Sequence, residues 1–211
     1  MRAVVFGGAD IKDYSFCGEY LENSIIICCD SGLRHAKKLG IVPDAIVGDF
    51  DSADEEIIEY FKPMNIPTME FPTHKDETDM ELGAEAAVKM GADELVLLGG
   101  IGSRMDHTMG NCNLLVRLYK EGIKARLANE NNVIMVTDSR IELTGKKGSL
   151  VSIFPVGVSA EGVSTENLEY PLDNALISAE IRLIAVSNVM LEEKAAVSVK
   201  KGMLYVMQCR D

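Results

Sequence analysis

Through roughly its first two thirds the chain alternates short apolar runs with stretches in which apolar residues recur at helical spacing. The runs at residues 3–6, 25–29, 45–47, 95–98 and 124–127 predict strands, and the stretches between most of them predict helices. Alternation of this kind predicts a parallel sheet with helices on its faces. Phe6 runs into Gly7-Gly8, Cys29 into Asp30-Ser31-Gly32, Val47 into Gly48-Asp49 and Leu98 into Gly99-Gly100. Strands that run the same way end at one edge, and ligands of open parallel sheets bind in the crevice outside that edge. Glycines and acids therefore gather where a ligand would sit.

From about Asn129 the texture changes. Short runs at 133–136, 150–156, 181–186, 196–200 and 203–207 are separated by Gly145-Lys146-Lys147-Gly148, Gly157 and Lys201-Gly202, with no long helical pattern. These predict an antiparallel β-sandwich or barrel. The expected fold is thus a Rossmann-like α/β domain over residues 1–130, followed by a β domain over 131–211, with the junction between Asn129 and Arg140.

The 211 residues leave room for one large domain or two small ones, and 47% hydrophobic content supplies an ordinary core. A formal net charge of −12 argues against nucleic acid or an anionic membrane as partner, because the field repels both. An anionic substrate would need cations bound locally. Cys17, Cys28, Cys29, Cys112 and Cys209 show no CxxC pairing, and Cys28 and Cys29 fall inside a strand-like run, which fits free thiols in a reducing cytosol. The apolar run behind Met1-Arg2 is too short for a signal peptide or a membrane span, so a cytoplasmic location is expected.

Three clusters carry candidate chemistry. In Gly48-Asp49-Phe50-Asp51-Ser52 an apolar run delivers two carboxylates spaced one residue apart, which lean to one side if strand geometry persists. Like charges so placed call for a cation, and magnesium suits them. Ser52 can cap the acidic helix start that follows at Asp54-Glu55-Glu56. Read alone, the stretch is equally a solvated turn with a helix cap.

In Lys75-Asp76-Glu77-Thr78-Asp79-Met80-Glu81 a capping box explains Thr78 and Glu81. It does not explain Lys75, Asp76 and Asp79 beside a separate acidic corner. A metal held by carboxylates from two loops, with a helix N-terminus and a lysine nearby for phosphate oxygens, accounts for both. The third cluster runs from Gly99-Gly100-Ile101-Gly102-Ser103-Arg104 to Met105-Asp106-His107 and Asn111. Its glycines let backbone amides approach an anion, and Arg104 offers a planar fork for phosphate. It is neither a Walker A loop nor a dinucleotide fingerprint. Asp106 is also a candidate N-cap, and His107 a helix-start residue bonded to its neighbours.

In order and spacing, Asp30-Ser31-Gly32, Gly48-Asp49-Phe50-Asp51-Ser52, Asp76-Glu77-Thr78-Asp79 and the third cluster resemble the thiamine pyrophosphokinase family. The resemblance extends to Gly162-Val163-Ser164-Thr165-Glu166-Asn167-Leu168-Glu169-Tyr170-Pro171-Leu172 and to Ser187-Asn188. It implies magnesium-dependent transfer of the pyrophosphoryl group of ATP to thiamine. It also implies a homodimer with thiamine between the nucleotide domain of one subunit and the β domain of the other. Carried over by position, Asp49, Asp51, Asp76 and Asp79 serve the metal and phosphates. Asp30, Ser31, Gly32, Thr78, Gly100, Gly102, Arg104 and His107 form the nucleotide site, with Arg104 also facing developing charge. Asp106, Ser187 and Asn188 face thiamine. Eukaryotic relatives stack a tryptophan near thiamine, and this chain has no Trp.

Two rivals remain on sequence grounds. Asp49-Phe50-Asp51-Ser52 also matches the nucleophile motif of a haloacid-dehalogenase-like phosphatase with Asp49 phosphorylated, although no later strand carries the lysine and paired aspartates that chemistry needs. The other is a non-catalytic nucleotide- or metal-sensing module.

Overall fold

The computed structural model describes residues 1–48, 54–69, 77–181 and 185–210. Asp49, Asp51, Ser52 and Asp76 lie outside the described residues. The chain divides into two compact units, Met1–Glu130 and Asn131–Asp211.

The first unit is built from β1 (Arg2–Phe6), α1 (Gly18–Leu21), β2 (Ile25–Cys29), α2 (Leu33–Leu39), β3 (Ala45–Val47) and α3 (Glu55–Phe61). It continues through β4 (Thr68–Met69), α4 (Asp79–Lys89), β5 (Glu94–Leu98), α5 (Met105–Lys120) and β6 (Lys124–Ala128). Its strands pair in parallel in the order β6-β5-β1-β2-β3-β4. Val4, Val5, Phe6, Leu95, Leu97 and Leu98 are completely buried, so both faces of the sheet are covered, as a parallel sheet requires. After β4 the chain returns past β1 to place β5 on its other side. The strand order therefore reverses between β1 and β5, which is a topological switch point.

Helix ends follow local chemistry. Gly40 closes α2 in the left-handed conformation, with Ile41 N–H bonded to the Ala36 carbonyl at 3.1 Å. The sequence offers Ser52 as the cap of α3. The N-cap is Asp54, whose carboxylate accepts from Glu56 N–H at 2.9 Å, because Asp stands directly ahead of the first helical turn and accepts there as well as serine does. At α4 the capping box forms in both directions: Thr78 Oγ1 accepts from Glu81 N–H at 3.3 Å and Thr78 N–H donates to the Glu81 carboxylate at 2.8 Å. Gly83 lets α4 lie directly on β1 and β2, since a methyl there would sit 2.7 Å from Val5 Cγ1 and closer still to Cys29 Sγ.

The second unit comprises β7 (Asn132–Thr137), β8 (Arg140–Thr144), β9 (Leu150–Pro155), β10 (Ser159–Glu166), β11 (Ala175–Ser178), β12 (Asn188–Val189), β13 (Lys194–Ser198) and β14 (Leu204–Cys209). Within it β12-β9-β14-β7 and β11-β10-β13-β8 form two antiparallel arrays. One buried cluster draws Val151, Ile153, Leu204 and Val206 from the first array and Leu143, Val163, Ile177 and Val197 from the second.

The run at 181–186 predicts a strand. Instead Ile181, Ala185 and Val186 lie outside strands, residues 182–184 lie outside the described residues, and β11 occupies 175–178. The apolar pattern predicts neither β8 nor β10. In β10 the pairing shifts between Ala160 and Val163, with Gly162 at φ 71°, so two core residues are three positions apart and the alternation is broken. In β8 only Leu143 is fully buried, too little to stand out.

Candidate active site

The pairing register fixes what meets at the carboxyl edge of the first sheet. Phe6 is level with Leu98 and Cys28, Cys29 with Val47, and Val47 with Met69. The turns that begin at Gly7, Gly99, Asp30 and Gly48 therefore start side by side.

At the switch point the turns after β1 and β5 are stitched together. Gly7 N–H donates to the Leu98 carbonyl and Ala9 N–H to the Gly99 carbonyl, each at 2.8 Å. Gly99 sits at φ 62°, and its Cα faces the Gly7 carbonyl so closely that a methyl there would overlap it. Met80, in the first turn of α4, lies with its Cε against Gly7 and Gly100, which brings the N-terminus of α4 to the same point. Asn111 of α5, buried, donates from Nδ2 to the Gly100 carbonyl at 2.8 Å and holds the third glycine cluster from below.

The buried Asp30 stands at φ 42°, a conformation that costs a non-glycine residue about 1–3 kcal/mol and persists where its surroundings enforce it. Its carboxylate lies against the Cα of Gly48, where any side chain would collide with it. An acidic group thus stands at the residue from which the chain continues to Asp49. Ser31 and Gly32 complete the 3₁₀ turn that Asp30 opens. Asp79 is the half-buried first residue of α4.

Arg104 and Asp106 hold each other. Their contacts are 2.6 Å from Nη2 to Oδ2 and 3.3 Å from Nε to Oδ1, and Asp106 also accepts from His107 N–H at 3.0 Å. The guanidinium hydrogen bond and that amide hold the Asp106 carboxyl as low as about 2, so it is ionised at every physiological pH. Both side chains are exposed, and salt screens the pair. Arg104 is the N-cap residue of α5 with no side-chain cap bond. Thr108 Oγ1 instead ties the preceding turn to the helix, accepting from Gly102 N–H and donating to the Arg104 carbonyl, each at 3.3 Å. His107 is exposed in the first turn of α5.

In the second unit Asn188 is buried and its amide is in use. Oδ1 accepts from Tyr170 N–H at 2.9 Å and Nδ2 donates to the Tyr170 carbonyl at 2.7 Å. Ser187, exposed at φ 57°, is held by its N–H to Ser152 Oγ at 3.0 Å. A cavity of about 600 Å³ beside Glu161, Asn174, Leu176 and Lys200 contains none of the expected residues, and Lys200 and Lys201 there are tied to Asn174 and Glu161.

Of the four expected metal ligands only Asp79 is described. No group of three or more His, Cys, Asp or Glu positioned for a metal occurs among the described residues. The donor set fits magnesium in kind, since all four are hard carboxylate oxygens and two of them flank described residues of the carboxyl edge, Gly48 and Glu77. No helix among the described residues is long and apolar enough to cross a membrane. The cysteines are free, and Cys28 and Cys29 are buried in β2.

No motif or spacing in the sequence marks His35. It lies fully buried on α2 between Leu33 and Ala36, and that helical phase was the one available signal.

Two family models match the chain. "Thiamin pyrophosphokinase, catalytic domain" matches residues 17–127, and "Thiamin pyrophosphokinase, vitamin B1 binding domain" matches residues 138–204. The chain is 26% identical over 210 residues to the thiamine pyrophosphokinase of Bacillus subtilis, covering 99% of this chain and 98% of that one. It is 26% identical over 187 residues to thiamine pyrophosphokinase 1 of rice, covering 80% and 67%. The crystal structure of the Bacillus subtilis protein superposes with a TM-score of 0.90 at 25% identity over the whole of both chains. The solved structure of thiamin pyrophosphokinase from Candida albicans shares the fold, with a TM-score of 0.85 at 14% identity, covering 99% of this chain and 89% of that one.

Proposed function

The chain belongs to the thiamine pyrophosphokinase family and transfers the pyrophosphoryl group of ATP to thiamine, giving thiamine diphosphate and AMP; we propose here how its residues divide that work. ATP binds at the carboxyl edge of the first sheet, across the turns after β1, β2 and β5. The observation that carries this assignment is the register that sets those turns level, with the N-terminus of α4 brought over them by Met80.

Asp49, Asp51, Asp76 and Asp79 would hold the magnesium, which when bound supplies charge neutralisation to the polyphosphate. The buried Asp30, with Ser31, Gly32, Gly100 and Gly102, positions the nucleotide, and the capped start of α4 at Thr78 presents backbone N–H groups to anionic oxygens. The thiamine hydroxyl attacks the β-phosphorus in line: the new O–P bond forms as the bridging bond to the α-phosphate oxygen breaks, AMP leaves, and the hydroxyl proton is lost. Positioning supplies most of the acceleration. Arg104 exchanges Asp106 for phosphate as ATP arrives, which frees Asp106 to meet the positive ring of thiamine. In the second unit Asn188 holds the chain at Tyr170 from within, and Ser187 presents its hydroxyl. The protein acts as a cytoplasmic homodimer.

Neither the phosphatase reading of Asp49 nor the sensing module is supported by the family matches, which cover both units. The test is chromatography of nucleotides after mixing protein, magnesium, ATP and thiamine. Equimolar AMP and thiamine diphosphate are expected; orthophosphate without AMP would contradict the assignment.

A further inference from the structure

The turn after β1 is gripped from two sides. From the β5 side its N–H groups donate to the Leu98 and Gly99 carbonyls, and Ala9 packs on Gly102, where a methyl would approach Ala9 Cβ to 2.8 Å. From the α2 side, two consecutive residues take its carbonyls. Arg34 donates to the Gly8 carbonyl and pairs with Asp10 at 2.8 Å, and His35 Nε2 lies 3.0 Å from the Ala9 carbonyl. The other ring nitrogen, Nδ1, lies 2.6 Å from Tyr14 Oη.

A carbonyl can only accept, so Nε2 carries the hydrogen and Nδ1 accepts from the Tyr14 hydroxyl. The ring is thereby held in one tautomer and one orientation. Phe6 and Tyr14 flank it, with ring centroids at 5.8 and 5.7 Å. Burial, and secondarily Arg34, push the His35 pKa down to about 4, so the imidazole is neutral and no proton disturbs this chain of bonds near neutral pH. Burial likewise raises the Tyr14 phenol, which keeps its hydrogen.

We propose that His35 is a positioning residue for the nucleotide: through the Tyr14–His35–Ala9 hydrogen-bond chain it sets the turn at Gly7-Gly8-Ala9 against the Gly99–Gly102 turn, so that the polyphosphate meets a preformed surface. It touches neither substrate and takes no part in the chemistry. The inference rests on the assignment of ATP to the carboxyl edge. It goes beyond the family matches because His35 acts from the buried side of α2.

The test is steady-state kinetics on the full chain with each substrate varied in turn, beside thermal melting. His35→Phe keeps a flat ring and removes both nitrogens. It is expected to raise KM for ATP about tenfold with KM for thiamine changed less than about twofold, since a small misplacement of a binding surface is costly. His35→Gln, which can still donate to the Ala9 carbonyl, is expected to recover most of that loss. Tyr14→Phe carries the same test should His35→Phe fail to fold. It removes the hydroxyl that holds the ring at Nδ1 while the Ala9 carbonyl still keeps the hydrogen on Nε2, and a rise of roughly threefold in KM for ATP is expected. An unchanged KM for ATP would overturn the proposal. So would equal losses for both substrates that track the melting temperature with Gln no better than Phe. Failure of the wild-type protein to form AMP would strike instead at the assignment of the reaction.

Discussion

The two units spend their polar residues differently. In the first, every paired strand runs the same way, so whatever follows each strand arrives at one edge: Gly7, Asp30, Gly48 and Gly99 begin neighbouring turns although they are far apart in sequence. In the second, antiparallel strands deliver their ends to opposite edges, and polar groups are used where they stand. Asn188 ties down Tyr170, Ser152 ties down Ser187, and Gly162 bends β10. A parallel sheet thus concentrates chemistry by topology, whereas an antiparallel one must build its loops singly.

The comparison is most exposed at the acids. Asp79→Asn removes a charge from the first turn of α4 without removing a helix-start residue, and turnover to AMP is expected to fall roughly a hundredfold or more while the melting temperature stays close to wild type. Near-normal AMP release would take Asp79 out of the site. A matched pair of glycines comes next. Gly99→Ala forces a methyl into the Gly7 carbonyl at a positive φ and is expected to cost about 3 kcal/mol, or about 6–12 °C of melting temperature, together with ATP binding. Gly162→Ala, also at positive φ, crowds the root of the Lys200 side chain, whose Cβ it would approach to 2.8 Å, and is expected to cost about 2 kcal/mol, with kinetics unchanged. Equal kinetic damage from both would erase the distinction between the units.

A smaller effect follows from His35. Its folded pKa, about 4, lies below the ordinary 6.5, so between those values the unfolded chain binds the proton first. The stabilisation is complete above pH 6.5 and is lost as pH falls toward 4. Unfolding free energies from denaturant titrations at pH 7 and pH 5 should differ by about 2 kcal/mol from this group, and His35→Phe should flatten that slope. Thr78→Ala is the mildest. Loss of the capping box is expected to cost about 1 kcal/mol, with a modest rise in KM for ATP and no change in kcat.

The parallel unit was largely legible because apolar runs ending in glycine or aspartate mark strand and turn together. The thiamine pyrophosphokinase resemblance rested on those turns. Strand order was not legible: nothing in the sequence says that β5 returns to the far side of β1, and that return is what creates the switch point. The second unit resisted reading for a physical reason, since the bulge at Gly162 puts Ala160 and Val163 out of alternation while both face the core. His35 was hidden because its helical phase with Leu33 and Ala36 marks only a buried side chain, and its partners Tyr14 and Ala9 lie far away in sequence.

The central claim is that metal and nucleotide share the carboxyl edge of the first sheet. Glycines mark both edges: Gly8, Gly32, Gly99, Gly100 and Gly102 lie at the carboxyl edge, while Gly40, Gly91 and Gly122 follow the helices that return to the amino edge. With glycine ¹⁵N-labelled protein, manganese and ATP together should broaden the amide signals of the first set and spare the second. Broadening of Gly40, Gly91 and Gly122 with Gly8, Gly99 and Gly100 left sharp would contradict the account.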